Sequence, residues 1–504
     1  MDYPLALVSG VLLALSFPKF GHPAFGWIAL APLLVALSVR RRLSLTRAFC
    51  LGLTTGGVFF AGTLYWITTV MALYGGLPMP VAVLVNALLV AYQALYPAFF
   101  AVVFRRLVLG FGARALIAAP LVWVATELGR THVLGGFPWV LLGYSQVTTI
   151  PIAQLASLFG VYGVSALVAS VSAAAAGCMA TSSTRARVQS VGAVAMVLTV
   201  TAVWGSWRAA RAEWTREGQA VTVGLIQGNA SEAQRRDPAQ ALQVFQEQVR
   251  MTRQAIGAGA ELVLWSESAM SPYRFDDNPE VGGLVRRVAR EGRVPILVGS
   301  DQVVRGRPDA WYNAAVLVRA DGSDGGFYRK MHLVPFGEYV PMRRLLFFVG
   351  PLVEAIGSGF AAGTDPTVLS VGGHSISVAI CYEVVYPALV RQFVIRGSEL
   401  LTTITNDSWF GQTSAPYQHF AQASMRAIEE GRYLVRAANT GISGIVDPYG
   451  RVLDRTGIFE PGVIVGRARF LTTTTPYARW GDVFAYASVV VVMAAILLAR
   501  RRVQ

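Results

Sequence analysis

Three side chains able to do chemistry sit in or beside apolar runs of this chain. They are a carboxylate at Glu267 in LVLWSESA, an amine at Lys330 in YRKMHLVPFGE and a thiol at Cys381 in ISVAICYE. Lys330 stands out because the sequence holds 43 basic side chains, of which only Lys19 and Lys330 are lysines. Where arginine otherwise supplies positive charge, a lysine points to a task that a planar guanidinium cannot do. An ammonium is compact, approaches a reacting centre as a point charge and shifts its pKa readily when buried. Carboxylate, amine and thiol are together the parts of a covalent acyl-transfer site. A free thiol titrates near ~8.5 and needs a base or a positive neighbour to react well at neutral pH. Glu267 can accept its proton, and Lys330 can stabilise an oxyanion, a role worth roughly 3–4 kcal/mol per donor. Residue types alone leave a second reading equally open, in which Glu267 and Lys330 form an ordinary ion pair and Cys381 is buried filler.

The elements that must position these groups are legible as an α/β pattern over about 220–470. Short β-rich runs at 221–227, 262–266, 294–299, 312–319, 376–381, 401–405 and 442–447 predict strands. Amphipathic stretches at 237–257, 280–292, 387–397 and 416–431 predict helices between them. Glu267 and Cys381 each end a strand, which fixes a reactive group on a rigid element while it faces a cleft. The segment is long enough for one domain with its own core.

The rest of the chain is a different material. The sequence is 54% hydrophobic and 14% charged, which excludes an ordinary soluble enzyme. Apolar segments at 4–20, 24–39, 48–73, 79–104, 115–130, 151–180 and 188–206, then at 482–499, approach the ~20 residues that cross a ~30 Å hydrocarbon core as helix. The third, fourth and sixth are long enough to tilt or to hold re-entrant turns. The expected organisation is a seven-span region over 1–206, a catalytic domain over 220–470 and a last span at 482–499. With eight spans, Arg40–Arg42 with Arg47, Arg105, Arg106 with Arg114, Arg185 with Arg187, and Arg500–Arg502 all fall on one face. The positive-inside rule makes that face cytoplasmic. Both termini are then inside and the α/β segment is outside. Arg208, Arg211 and Arg216 run against the rule, among Trp204, Trp207 and Trp214, which read as an interfacial aromatic belt. The net charge of +14 is therefore topology and headgroup contact; no basic-aromatic strip marks a nucleic-acid surface. The apolar start lacks a basic leader and a small-residue cleavage site, so it reads as an uncleaved first helix.

Several strings add a resemblance. LVLWSESA, YRKMHLVPFGEYVP and AICYEVVYP resemble, in order and spacing, the Glu-Lys-Cys segments of the nitrilase superfamily. PFGEYVP, NDSWFG at 406–411, PYQHFAQASMRAIEEGRYLVRAANTG at 416–441, LSFPKFGHPAFGWIALAPLL and GGFPWVLLGYSQ at 135–146 are similar to the bacterial apolipoprotein N-acyltransferase family. The resemblance spans essentially the whole chain. It implies an α-β-β-α sandwich outside a bacterial plasma membrane, on a helical bundle of about eight spans. It implies Glu267 as general base, Lys330 as transition-state stabiliser and Cys381 as nucleophile, with Glu338, Tyr382, Glu383 and Trp409 in supporting or substrate-contacting places. It further implies ping-pong transfer, through a thioester, from a phospholipid donor to the amine of a diacylglyceryl apolipoprotein. The expectation is a monomer needing no cofactor, no metal and no nucleic acid. One departure is Arg236, where the family carries a tryptophan, which puts an aromatic contact to lipid or acceptor there in doubt.

Other residues compete less well. Cys50 and Cys178 fall in spans and read as small apolar packing residues; three cysteines without CxxC give no disulfide framework. His332, His374 and His419 are candidate partners for Cys381 in a histidine-based site; His332 reads as structural, and His419, opening a helix, is left unassigned. No HExxH, GxSxG or phosphate loop is present. Glu127 and Arg130 near the end of a span are either functional or snorkelling. The loops 74–80, 135–139 and 346–361 are candidates for an acyl entrance, although plain packing at the membrane interface is the stronger reading of each. An amidase or nitrilase using water, and a transporter or receptor with a ligand-binding outer domain, remain as alternatives; the spans are poor in charge and show no inverted repeat, which disfavours transport.

Overall fold

The computed structural model describes residues 2–19, 21–39, 43–339 and 359–503. The Arg40–Arg42 cluster, most of the 346–361 loop and the side chain of Arg236 lie outside the described residues.

Every apolar segment is helical, but the lengths are unequal. Among the described residues, five stretches are long and apolar enough to cross a membrane: Leu45–Leu64, Met79–Gly135, Ala156–Ala180, Thr184–Thr215 and Val483–Arg502. Asp2–Leu15 is shorter, and the second segment is broken into Pro23–Ile28 and Ala31–Val39. The fourth and fifth segments run on as one stretch. Met79–Phe111 turns through a 3₁₀ segment, Gly112–Ala118, into Ala119–His132, with Gly112 at φ +60° making the corner. Close packing explains Gly52 and Gly56 of Leu45–Leu64. A Cβ on Gly52 would lie 2.3 Å from the Pro97 carbonyl oxygen, and one on Gly56 2.7 Å from the Ala94 Cα. A glycine pair four apart lets two backbones touch, which is how helices associate where lipid removes the hydrophobic drive.

The α/β part contains two six-stranded sheets. The strands are β1 (Ala220–Gln227), β2 (Leu262–Leu264), β3 (Ile296–Val304), β4 (Arg307–Val318), β5 (Asp324–Arg329), β6 (Val368–Val371), β7 (His374–Ile380), β8 (Leu400–Thr405), β9 (Leu434–Ala438), β10 (Gly444–Val446), β11 (Val452–Arg455) and β12 (Gly462–Arg469). The first sheet has the order β12-β1-β2-β3-β4-β5 and the second β11-β10-β9-β8-β7-β6. Both are parallel at the centre and antiparallel toward the edges. Their faces meet through β1 against β9 and β4 against β7, while Pro238–Gly257 and Pro279–Gly292 cover one outer face and Pro387–Ile395 and Ala415–Glu430 the other. The result is an α-β-β-α sandwich. Fully buried strands such as β8 are why several central runs read as continuous apolar stretches.

Ala415–Glu430 departs from its amphipathic pattern. Its polar face is buried as deeply as its apolar one, because the membrane helices pack on it. Gln418 accepts from Trp139 Nε1 at 2.7 Å, Arg426 donates to the Tyr144 hydroxyl at 2.7 Å, and Glu429 accepts from the Val161 backbone N–H at 2.7 Å. Arg426 and Glu429 also pair at 2.9 Å with neither side chain exposed.

Candidate active site

The three groups come together at the ends of strands. Glu267 lies just past β2, where residues 266–268 cross directly over β3. A Cβ on Gly299 would sit 2.2 Å from the Ser266 carbonyl oxygen and 2.8 Å from the Glu267 Cα, so only glycine permits the crossing. Lys330 follows β5 immediately, its N–H donating to the Asn313 carbonyl at 2.8 Å. Its Nζ reaches Glu267 Oε1 at 3.2 Å and Glu338 Oε1 at 2.8 Å, with 1% of the side chain exposed. Asn313, on β4, ties the same two oxygens together, donating through Nδ2 at 2.7 and 3.1 Å. The other carboxylate oxygens are held by backbone: Asn406 N–H donates to Glu267 at 2.8 Å and Val334 N–H to Glu338 at 2.7 Å. Burial alone would lower the Lys330 pKa, but Glu267 and Glu338 outweigh it and hold the amine well above its ordinary value. The lysine is a fixed ammonium.

Cys381 is the first residue after β7 and opens a 3₁₀ turn, Cys381–Val385. Its φ of +51° is a left-handed conformation that costs a non-glycine residue energy and recurs at functional sites. Burial pushes its thiol far up; Glu267 adds to the rise, while Lys330 and a Thr405 hydrogen bond oppose it. At neutral pH the resting group is therefore a thiol, whose proton must leave as the sulfur reacts. Glu383 sets the geometry between cysteine and lysine. One oxygen accepts from Ile380 N–H at 2.8 Å, the other from Met331 N–H at 2.7 Å, His332 N–H at 3.1 Å and the Tyr328 hydroxyl at 2.7 Å. One carboxylate thus staples the end of β7 to the end of β5. Burial raises it to about 7 against those donors. Glu383→Gln replaces an acceptor by an N–H₂ that faces N–H groups, and we expect at least a tenfold loss of Cys381 acylation together with a lower melting temperature. Unchanged acylation in single-turnover assays would remove Glu383 from the positioning of the site.

The histidines resolve differently from one another. His419 Nε2 lies 3.1 Å from the Cys381 carbonyl oxygen, and Arg436 Nη2 lies 2.9 Å from His419 Nδ1. A carbonyl oxygen only accepts, so Nε2–H donates to the Cys381 backbone, while Nδ1 lies between Arg436 Nη2 at 2.9 Å and Asp407 Oδ1 at 3.1 Å. Burial, then Arg436, keeps the ring's pKa low, and Asp407 completes the cluster at 2.9 Å from Arg436. His419 therefore braces the strained turn and is not a base for the thiol. His332 packs at a tilt against Tyr386, ring centroids 3.9 Å apart, its pKa lowered to about 4 by burial and by Lys330. His374 pairs with Glu399 at 2.6 Å at a sheet edge. Asn313, Asn406, Asp407 and Arg436 were not singled out from sequence. The visible signals were an asparagine inside the apolar strand AWYNAAVLV and the Asn-Asp of NDSWFG.

Membrane-side loops close the site. Phe137 and Trp139 lie 6.3 and 6.4 Å, centroid to centroid, from Tyr382, and the Tyr386 hydroxyl donates to the Gly136 carbonyl at 3.0 Å. Trp139 also stands 5.6 Å from His419. Arg130 donates to the Trp139 and Val140 carbonyls at 2.7 and 3.2 Å, and Glu127 accepts from Leu142 N–H at 2.7 Å. This pair shapes the 135–142 loop and does not snorkel. Trp409 sits one shell out, its ring 5.0 Å from that of Tyr74 in the 74–80 loop.

An α-β-β-α sandwich with glutamate, lysine and cysteine at its strand ends is the architecture of a carbon-nitrogen hydrolase, and residues 222–474 match that family's model; residues 9–174 match the apolipoprotein N-acyltransferase N-terminal domain. The chain is 42% identical to an apolipoprotein N-acyltransferase of Geobacter metallireducens, over 99% of this chain and 96% of that one. It is 34% identical to one of Methylococcus capsulatus, over 95% and 92%. An amidase crystal structure from Nesterenkonia sp. aligns at TM-score 0.41 and 22% identity, covering 54% of this chain and 97% of the amidase. The chain belongs to the apolipoprotein N-acyltransferase family.

Proposed function

We propose that this protein moves a fatty acyl chain from a membrane phospholipid, by way of a thioester on Cys381, to the α-amine of the diacylglyceryl-cysteine of an apolipoprotein. The reading is carried by one observation: the Lys330 ammonium is shared by two buried carboxylates beside a buried thiol, under a lid of aromatic side chains from the membrane region. Cys381 sulfur attacks the ester carbonyl as Glu267 takes the thiol proton. The tetrahedral oxyanion is stabilised by Lys330, and collapse returns the proton to the leaving glycerol oxygen, releasing a lysophospholipid. The acceptor amine then attacks the thioester, its proton passes through Glu267 to the departing sulfur, and an amide remains. Glu338 and Asn313 hold the lysine, Glu383 holds the turn, and Tyr382 and Trp409 border the entrance.

In this reading 220–470 is the catalytic domain, 1–206 a seven-span region and 482–499 the last span, with both termini cytoplasmic and the domain outside. Both substrates then keep their tails in the bilayer and reach a tethered site at high effective concentration. Intact-protein mass spectrometry after incubation with phospholipid should find a hydroxylamine-labile fatty acyl group on Cys381; an unmodified cysteine after full incubation would sink the mechanism. Single cysteines placed in the domain, in a background lacking Cys50, Cys178 and Cys381, should react with an impermeant maleimide in intact cells. A cysteine near Arg106 should need permeabilised cells, and the opposite pattern would invert the orientation.

A further inference from the structure

Arg208 and Arg211, the arginines that run against the positive-inside pattern, line a cavity of about 250 Å³ with Trp204, Trp207, Trp214 and Tyr449. The Arg208 guanidinium is held between the Trp214 and Tyr449 rings at 4.7 and 4.8 Å and donates through Nη1 to Gln154 Oε1. Its Nη2 is buried with no hydrogen-bond partner among the described residues. A buried charged donor left unpaired is costly, so an unpartnered guanidinium N–H on a residue that lines a cavity asks for an acceptor. Arg211 lies 4.7 Å over the Trp207 ring and 3.2 Å from Glu213, with both charged side chains more than half exposed. That pair contributes little and yields readily to a stronger anion.

The surface below the cavity identifies the rest of the ligand. Met196, Val200, Val203 and Trp207 lie on one face of Thr184–Arg211 and are 69, 58, 64 and 52% exposed. This apolar stripe leads along the helix to the two guanidiniums. A free phosphate would leave the stripe uncovered; a phospholipid would cover both. The cavity is also remote from the thiol. Ala415–Glu430 touches the Cys381 turn through His419 near its start, while Gly431, just past its end, packs against Trp214. Twelve residues of helix put roughly 18 Å between those contacts.

We propose that this cavity is a phospholipid-headgroup site, distinct from the Cys381 centre, that takes the phosphodiester between Arg208 and Arg211 with the acyl tails along the Met196–Trp207 face. The shared chemistry is a phosphate oxyanion, and the test separates its sources. The full chain carrying Cys381→Ala, so that no lipid is consumed, is delipidated in detergent and titrated with phosphatidylglycerol, with diacylglycerol of the same chains, and with inorganic phosphate as competitor. Bound lipid is counted by native mass spectrometry. We expect Arg208→Gln to weaken retention of one phosphatidylglycerol by about tenfold or more, and exposed Arg211→Gln, which cannot be blamed on misfolding, by about fivefold. Diacylglycerol should not occupy the site, and millimolar phosphate should not empty it. Equal retention by both variants, equal binding of diacylglycerol, or displacement by free phosphate would each overturn the proposal. Thioester formation, measured separately with Cys381 present and Arg211→Gln, should persist, so a failure here is distinguishable from a failure of the acyl-transfer reading.

Discussion

Lys330→Arg should be nearly as inactive as Lys330→Met, with both falling about 10²–10³-fold below wild type in single-turnover acylation of Cys381 by phospholipid. The geometry makes this test sharp. If Lys330 only balanced charge, arginine would serve, since Glu267 and Glu338 could receive a fork as well as a point. However, the ammonium stands 3.2 and 2.8 Å from two carboxylate oxygens that Asn313 also binds, with 1% of its side chain exposed. A guanidinium is wider, and its donors are fixed in a plane. Seating it would displace Asn313 or Glu338 and direct its N–H groups away from an oxyanion at the sulfur. Protein yield and melting temperature of the variants report folding separately. An arginine variant within about threefold of wild type would refute the oxyanion role and leave Lys330 as a structural ion-pair partner.

Cys381→Ala should abolish both acyl-enzyme formation and transfer, and Cys381→Ser should be nearly as inactive although it differs by one atom. A hydroxyl is much less acidic than a thiol, and a carboxylate is too weak a base to activate it. The surroundings sharpen the expectation, because burial and Glu267 already push the native thiol up. A serine would meet the same penalty from a higher start. The His419 ring at the turn donates to the Cys381 carbonyl and is held by Arg436 and Asp407. Both ring nitrogens are taken up, one by the Cys381 carbonyl and the other by Arg436 and Asp407. Substantial thioester-independent transfer by the serine variant would show that a stronger base operates.

Much of the sandwich is visible in the sequence because period and punctuation agree there. The helices expected at 237–257 and 280–292 are Pro238–Gly257 and Pro279–Gly292, each opened by an aspartate or asparagine cap and proline. The strands not foreseen, β5, β6, β9, β11 and β12, are short, edge-placed or glycine-bearing, as in DGGFYR and GVIVGRAR. β12 pairs along the whole of β1 and β9 along β8, partners that no local window contains, whereas β5, β6 and β11 are hairpin partners of β4, β7 and β10 whose own patterns are too weak to mark a strand. Glu267 and Cys381 were legible as residues that end strands, and Lys330 only as a rare lysine beside an apolar run, since β5 before it was not foreseen. Their supports were not, because Asn313, Asn406, Asp407 and Arg436 matter only through partners far away in the chain. In the membrane region, segment positions were readable from hydropathy, whereas the corner at Gly112 and the break between Ile28 and Ala31 depend on packing.

The buried polar face of Ala415–Glu430 bears on how the molecule can move. Gln418, Arg426 and Glu429 bond Trp139 of the 135–142 loop, Tyr144 just after it and Val161 of Ala156–Ala180, with the Arg426–Glu429 pair fully buried. Rocking the sandwich away from the bundle would strip these groups of partners without giving them water, which is far costlier than parting an ordinary wet interface. The sandwich and its membrane helices are therefore a single casting, in which the mouth over Cys381 stays at one depth and bearing relative to the bilayer. On the proposed reaction, donor and acceptor would reach Cys381 in turn by lateral movement past a stationary port, and any gating would fall to individual loop side chains.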